Sequence, residues 1–178
     1  MAVFTIADLH LSLGTNKPMD VFKGWHNYTE RIKENWTRAV SDEDTVVVSG
    51  DISWAMRLKD TDADFSFINN LPGKKIFIKG NHDYWWSGIT QVRCNLPKGM
   101  YALQNDALDL GFCVVCGSRG WSFPTPETPL SPEDDKIYRR ELLRVEMSLQ
   151  QGKRLQGDRP LVLMLHYPPL TDQVRDTG

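Results

Sequence analysis

Three of the four histidines in this sequence stand at or just beyond the ends of short apolar runs, where carboxylate and amide side chains also collect. Together these groups suit borderline divalent metals such as Mn, Fe or Zn better than Ca or Mg, which prefer oxygen ligands alone. Two ions are expected, because one carboxylate can bridge them. A pair roughly 3.5–4 Å apart can clamp a phosphoryl group and lower the pKa of a bridging water, which then serves as the nucleophile. The residues concerned are Asp8, His10, Asp51, Asn81 and His166.

Each of these signals is weak when taken alone. The Asp-x-His at residues 8–10 could be incidental, although alternate residues of a strand share a face and could serve one ion. The Gly-Asp at 50–51 is ordinary turn chemistry, and the Gly-Asn-His-Asp run at 80–83 could be a polar turn. A lone histidine such as His166 is more often a hydrogen-bonded core residue than a ligand. Their combination in this order is what favours a metal site.

The elements that must position these residues are strands alternating with helices. Four apolar runs predict buried strands, and each of them leads into one of the polar groups. Helical periodicity marks the segments near 28–40 and 61–70 and the clearer one at 131–151. Such alternation indicates an α/β sheet, whose site collects beyond the carboxyl ends of its strands. The predicted strands are Val3–Ala7, Thr45–Val48, Ile76–Ile78 and Leu161–Leu165.

The segment 131–151 carries the clearest helix signals. Ser131 can cap it, and Pro132 suits its first turn. Its apolar positions predict a buried stripe. Residues 100–117 predict two adjacent strands joined near Asn105-Asp106, and residues 121–132 predict a proline-rich loop. The predicted stripe consists of Tyr138, Leu142, Val145 and Leu149.

Composition points to an ordinary globular protein of one domain, residues 1–178. The formal charge of −2 gives no basic excess, so a nucleic-acid partner is unsupported. We expect no secretory signal and no membrane span. Three cysteines predict free thiols and a cytoplasmic location. The pair Cys113 and Cys116 could form a zinc or redox element, but in a strand their side chains would point to opposite faces.

In order and context, the four polar groups resemble the first four signature blocks of the calcineurin-like metallophosphoesterases. The resemblance implies a four-layer α/β/β/α sandwich. It also implies that Asp51 is shared between two ions, one bound with the 8–10 pair and the other with Asn81 and His166. His82 would face the substrate, stabilising the phosphoryl charge or protonating the leaving oxygen, and Asp83 would orient its ring. The family's fifth block, Gly-His-x-His, is missing, so we expect the chain to be truncated at its C-terminus.

The substrate is expected to be a phosphorylated small molecule or a nucleotide-like compound. A diester is favoured over a monoester, because an imidazole acid helps a poor alkoxide leaving group. Neither the native metal nor the oligomeric state follows from the sequence. The alternative is a catalytically silent scaffold of the same fold that binds other proteins. Candidate substrate contacts are Arg57, Tyr84, Trp85, Trp86 and Arg119, although each aromatic could instead pack its loop against the core.

Overall fold

Short runs of β-branched and apolar residues form the strands of this protein, as their composition predicts. The computed structural model describes residues 1–169. These residues divide into two compact units, one from Met1 to Ala102 and the other from Leu103 onward. That the chain forms a single domain stays a prediction.

The first unit is built on a four-stranded parallel sheet in the order β1-β2-β3-β4. Ile6 lies opposite Val48, and Val48 lies opposite Phe77. The first three strands therefore end at the same edge of the sheet, and the loops that follow them begin side by side. The elements of this unit are β1 (Val3–Ile6), α1 (Tyr28–Ala39), β2 (Thr45–Val48), α2 (Asp62–Asn69), β3 (Lys74–Phe77), α3 (Ile89–Asn95) and β4 (Met100–Ala102).

The periodicity of the sequence predicts an apolar face on helix α1 made of Tyr28, Ile32, Trp36 and Ala39, and most of that face packs into the core. Tyr28 and Trp36 are buried in the core, and Ile32 packs against it. The indole N–H of Trp36 donates to the carbonyl of Pro72 at 3.0 Å, which ties the helix to the loop before β3. Ala39, the last residue of the predicted face, is exposed.

The second unit contains a three-stranded sheet and one long helix. Its strands are β5 (Ala107–Asp109), β6 (Val114–Ser118) and β7 (Leu161–Leu165), and its helix is α4 (Pro132–Gln156). Strand β5 is antiparallel to β6, whereas β6 and β7 are parallel. Residues 105–106 do connect two strands, β4 and β5, as predicted, but these strands belong to different sheets and a third strand, β6, follows them. The hairpin turn lies between β5 and β6, where Leu110 N donates to Cys113 O at 3.0 Å.

Helix α4 begins as predicted, because Ser131 Oγ accepts from the backbone N–H of Asp134 at 3.1 Å. Its predicted stripe is only partly correct, since Leu142 is 50% exposed. The buried line instead passes through Glu141, Ser148 and Gly152. Small side chains let the helix approach β6 closely, and the Ser148 hydroxyl donates to the carbonyl of residue 117 at 3.1 Å. Small residues and hydrogen bonds to β6 therefore contribute to the contact line of this helix, together with the half-buried Tyr138, Val145 and Leu149.

The α/β class predicted from the sequence is confirmed, with one parallel and one mixed sheet. The four-layer arrangement stays a prediction. Cys113 and Cys116 are buried free thiols, and Cys94 is an exposed one. Within residues 1–169, no helix combines the length and apolarity needed to cross a bilayer.

Candidate metal centre

The loops that follow β1 and β2 run side by side beyond the sheet. The backbone N–H of Asp8 donates to Gly50 O at 3.1 Å, and that of His10 donates to Asp51 O at 2.9 Å. A further bridge joins Leu11 to Ser53. This pairing extends the register of the two parallel strands into their loops, so residues 8–10 and residue 51 are held together by the backbone.

The side chains of these residues form a compact cluster of oxygen and nitrogen donors. His10 Nε2 lies 3.6 Å from Asp8 Oδ1 and 3.8 Å from Asp51 Oδ2. The Asp51 side chain is 3% exposed and that of Asp8 is 53% exposed, so the cluster is open to solvent on one side. Two carboxylates this close repel each other, and a divalent cation would offset that repulsion. The donor set fits a borderline divalent metal.

All three residues of this cluster have left-handed backbone conformations. Their φ angles are 57° at Asp8, 45° at His10 and 52° at Asp51. Positive φ is uncommon outside glycine, although aspartate, asparagine and histidine tolerate it best. Residues held in such conformations cluster at functional sites, where the surrounding structure compensates for their strain. The backbone thus supports the assignment of this cluster as a site.

The loop after β3 closes on the same cluster. The backbone N–H of His82 donates to Asp51 Oδ1 at 2.8 Å. A Cβ atom at Gly80 would lie 2.1 Å from Asp51 Oδ1, so only glycine permits this approach. Asn81 lies between these two contacts and is half-buried. Its role as a ligand stays a prediction.

Asp83 is fully buried and connects this loop to the one after β2. Its Oδ2 accepts from Gly80 N at 2.8 Å and from Asp51 N at 2.9 Å. Its Oδ1 accepts from Ile52 N at 2.8 Å, from Ser53 N at 3.3 Å and from the indole N–H of Trp85 at 3.0 Å. These five hydrogen bonds were not predicted from the sequence. That Asp83 orients the His82 ring stays a prediction, whereas its contacts with the loop backbone are observed.

Burial raises the pKa of the Asp83 carboxyl, and the nearby charge of Asp51 adds to the rise. Hydrogen bonds from the backbone N–H groups of Gly80, Ile52 and Ser53 act in the opposite direction. An aspartate in this position depends on those donors, because a buried carboxylate without partners is costly.

Aromatic rings lie around the imidazoles of His10 and His82. His82 lies between Trp54, with ring centroids 4.9 Å apart, and Tyr84, whose hydroxyl is 3.5 Å from His82 Nδ1. His10 contacts Trp25 at 5.9 Å and stacks on Trp54 at 4.9 Å. The hydrophobic periodicity of the sequence does not predict these ring contacts, because they depend on how the loops pair with each other.

Two of the predicted substrate contacts are buried, in agreement with the alternative that these aromatics pack their loop against the core. Trp85 is 2% exposed and Trp86 is 1% exposed, so neither ring is available to stack on a ligand. Trp85 packs edge-on against Phe65, with ring centroids 5.3 Å apart, in the core of the first unit. Tyr84 is 53% exposed, and its role as a substrate contact stays a prediction.

The two predicted phosphate contacts have carboxylate partners. Arg57 Nε lies 2.9 Å from Asp60 Oδ2, and the Arg57 side chain is 67% exposed. In the second unit, Arg119 Nη2 donates to Glu141 at 3.2 Å, and its guanidinium lies 4.6 Å from the centroid of the Trp121 ring. A substrate role for either arginine stays a prediction.

His166 follows strand β7 in the second unit, as the sequence predicts. Its backbone N–H donates to Arg119 O at 3.1 Å, and its ring meets that of Tyr167 edge-on at 5.2 Å. That it is a metal ligand stays a prediction.

The family model described as calcineurin-like phosphoesterase matches residues 1–177. No curated protein matches the chain. Among solved structures, the chain is similar to a protein of unknown function from Aquifex aeolicus. The two are 20% identical, and the match covers 79% of this chain and 72% of the other with a TM-score of 0.46.

Proposed function

This chain belongs to the calcineurin-like phosphoesterase family, and from that premise we propose that it hydrolyses a phosphoester, a diester in preference to a monoester, with two divalent metal ions. The cluster of Asp8, His10 and Asp51 is the observation that carries the proposal, because His10 Nε2 lies within 4 Å of both carboxylates. The left-handed backbone at all three positions supports it further.

In this proposal the ligands divide between two ions. Asp8, His10 and Asp51 hold the first ion, and Asp51 holds the second together with Asn81 and His166. The mixture of carboxylate, amide and imidazole donors favours Mn, Fe or Zn. Bound ions would supply charge stabilisation for the phosphoryl group and a water of lowered pKa. The three free thiols support a reducing compartment, and we propose the cytoplasm.

His82 has a different role in this proposal. Its backbone N–H is held by Asp51, while its ring lies between Trp54 and Tyr84. We assign the ring as the acid that protonates the leaving oxygen when the phosphorus–oxygen bond breaks. Because an alkoxide leaves poorly without a proton, this acid favours a diester substrate.

The proposal is tested by hydrolysis of p-nitrophenyl phosphate and bis-p-nitrophenyl phosphate with added Mn, added Zn or no metal, using the full natural chain. Metal-dependent release of p-nitrophenol, faster from the diester, is expected. Asp51→Asn should abolish it, whereas Asp42→Asn, the same change at an exposed turn residue, should not. If no metal produces turnover of either compound, the scaffold alternative is favoured instead.

A further inference from the structure

Trp54 contacts the imidazoles of His10 and His82 with a single indole ring. It stacks on His10 with ring centroids 4.9 Å apart and an interplanar angle of 19°. It meets His82 at the same distance with an angle of 50°. The two imidazoles are themselves 5.8 Å apart. The Trp54 indole therefore contacts both the candidate metal ligand His10 and the candidate acid His82.

The indole is held on several sides. The backbone N–H of Trp54 donates to Leu11 O at 2.8 Å, which continues the pairing of the two loops. The ring N–H points to Met19 Sδ at 3.1 Å, and Lys17 Nζ lies 5.2 Å from the ring centroid. With its backbone and its ring both anchored, Trp54 is a fixed surface against which a more mobile side chain can rest.

His82 needs such a surface. Its backbone is fixed by Asp51, but the neighbour beyond its other side, Tyr84, is 53% exposed. An imidazole that protonates a leaving group must be held in the correct geometry, because a displacement of about 1 Å can lower turnover on the order of 100-fold.

We propose that Trp54 is a positioning residue that holds the His82 ring for proton transfer to the leaving oxygen. The inference rests on the proposed function. In the step concerned, the bond between phosphorus and the leaving oxygen breaks, and its electron pair stays on that oxygen. The oxygen takes the proton from His82, and water supplies the oxygen of the new bond and releases a proton. For a diester, the net reaction is diester plus water to alcohol plus phosphate monoester, and the proton released by the water replaces the one that His82 gave.

The first test varies the leaving group. Esters of p-nitrophenol, phenol and a simple alcohol need increasing help from an acid. Trp54→Ala should lower kcat about 10- to 100-fold for the poor leaving groups and clearly less for p-nitrophenol. Trp54→Phe, which retains an aromatic ring, should restore most of the loss. Equal losses for all leaving groups would overturn the inference.

Trp25→Ala is the matched control. In the described residues, the ring contacts of Trp25 are with His10 and Tyr28. Its removal should leave the dependence on the leaving group as it is in the wild type. A change as large as that of Trp54→Ala would contradict a specific role for Trp54.

The second test places the Trp54 changes in a His82→Ala background. If Trp54 acts through His82, the change from Trp54 to Ala should lower kcat less than about threefold there, because the group it positions is absent. An undiminished loss in that background would show a general structural role and overturn the inference. Should Trp54→Ala fail to fold, the Phe and Leu variants decide the same comparison. An inactive wild type contradicts the proposed function itself, whereas an active wild type without this coupling contradicts only the role of Trp54.

Discussion

The backbone N–H of Asp51 donates to the carboxylate of Asp83 at 2.9 Å, so one buried acid holds the main chain of another. The same carboxylate accepts from Gly80, on the loop after β3, and from Ile52, on the loop after β2. Three strand ends by themselves would bring these loops near each other. The Asp83 carboxylate fixes their relative position to hydrogen-bond precision, which is the kind of preorganisation that a metal centre requires.

Asp83→Asn should destabilise the protein strongly. Each oxygen of Asp83 accepts from two or more donors, so an amide NH2 in either orientation would face backbone N–H groups. Leaving such groups without an acceptor costs about 2–4 kcal/mol in the free energy of unfolding. Urea unfolding measures this loss of stability. Asp42→Asn, the same substitution at an exposed position, is the matched control. A variant as stable as the wild type would show that the network is not needed.

Gly80→Ala should remove metal binding. The added methyl would lie 2.1 Å from Asp51 Oδ1 and 2.2 Å from Asp51 N, so the loop or the carboxylate must move. Gly88→Ala is the control, because a Cβ there meets nothing within 4 Å. Calorimetric titration with Mn should show the affinity lost in the first variant and retained in the second. Equal affinities would contradict the placement of Asp51 as a ligand.

His82→Ala and Asp51→Asn should separate chemistry from metal binding. Loss of a general acid lowers turnover about 10²- to 10⁴-fold, while the metal content should stay near that of the wild type. Asp51→Asn should lower both. Metal analysis of the purified variants beside their kcat values makes the comparison. A metal-free His82→Ala protein would mean that His82 is a ligand.

Asp44 should give the protein part of its acid sensitivity. The backbone N–H of Ser41, then the Ser41 hydroxyl and the backbone N–H of Ala2, hold the pKa of Asp44 at about 2, below its ordinary 3.8. The folded-state pKa is depressed, so this contribution is fully present above 3.8 and is lost as the pH falls through about 2. Unfolding midpoints measured across this window should fall less steeply in Asp44→Asn. Parallel curves would contradict the assignment.

Trp86→Ala should lower the stability of the protein, whereas Tyr84→Ala should change substrate binding with little effect on stability. Truncating the buried Trp86 should cost about 3–5 kcal/mol of unfolding free energy. Truncating the exposed Tyr84 should change stability by only about 0.5 kcal/mol. A raised KM is expected for Tyr84→Ala if it contacts substrate. Thermal melts and Michaelis constants together distinguish the two roles.

Much of the fold was predictable because composition decides it locally. The runs at Thr45–Val48 and Leu161–Leu165 form strands with the predicted bounds, and Ser131 caps α4. Short helix α3, at Ile89–Asn95, was not predicted, since seven residues carry little periodicity. Asn105-Asp106 does separate two strands, but the local turn signal did not reveal that those strands belong to different sheets, because strand pairing depends on distant parts of the chain.

The candidate site, like the fold, was predicted in part from the sequence. The Asp8, His10 and Asp51 cluster was predicted from ordered motifs, and the structure brings these side chains together. Trp85 and Trp86 were predicted either to contact substrate or to pack their loop against the core. Their burial depends on the path of the chain after Asp83, which no local pattern encodes.

The left-handed conformations at Asp8, His10 and Asp51 set an evolutionary limit on this protein. Glycine at any of these positions would relax the main chain and, where it removes strain, would raise the melting temperature of the metal-free protein. The same exchange would delete a donor from the metal cluster. Selection for thermal stability and selection for activity therefore favour different residues at these three positions.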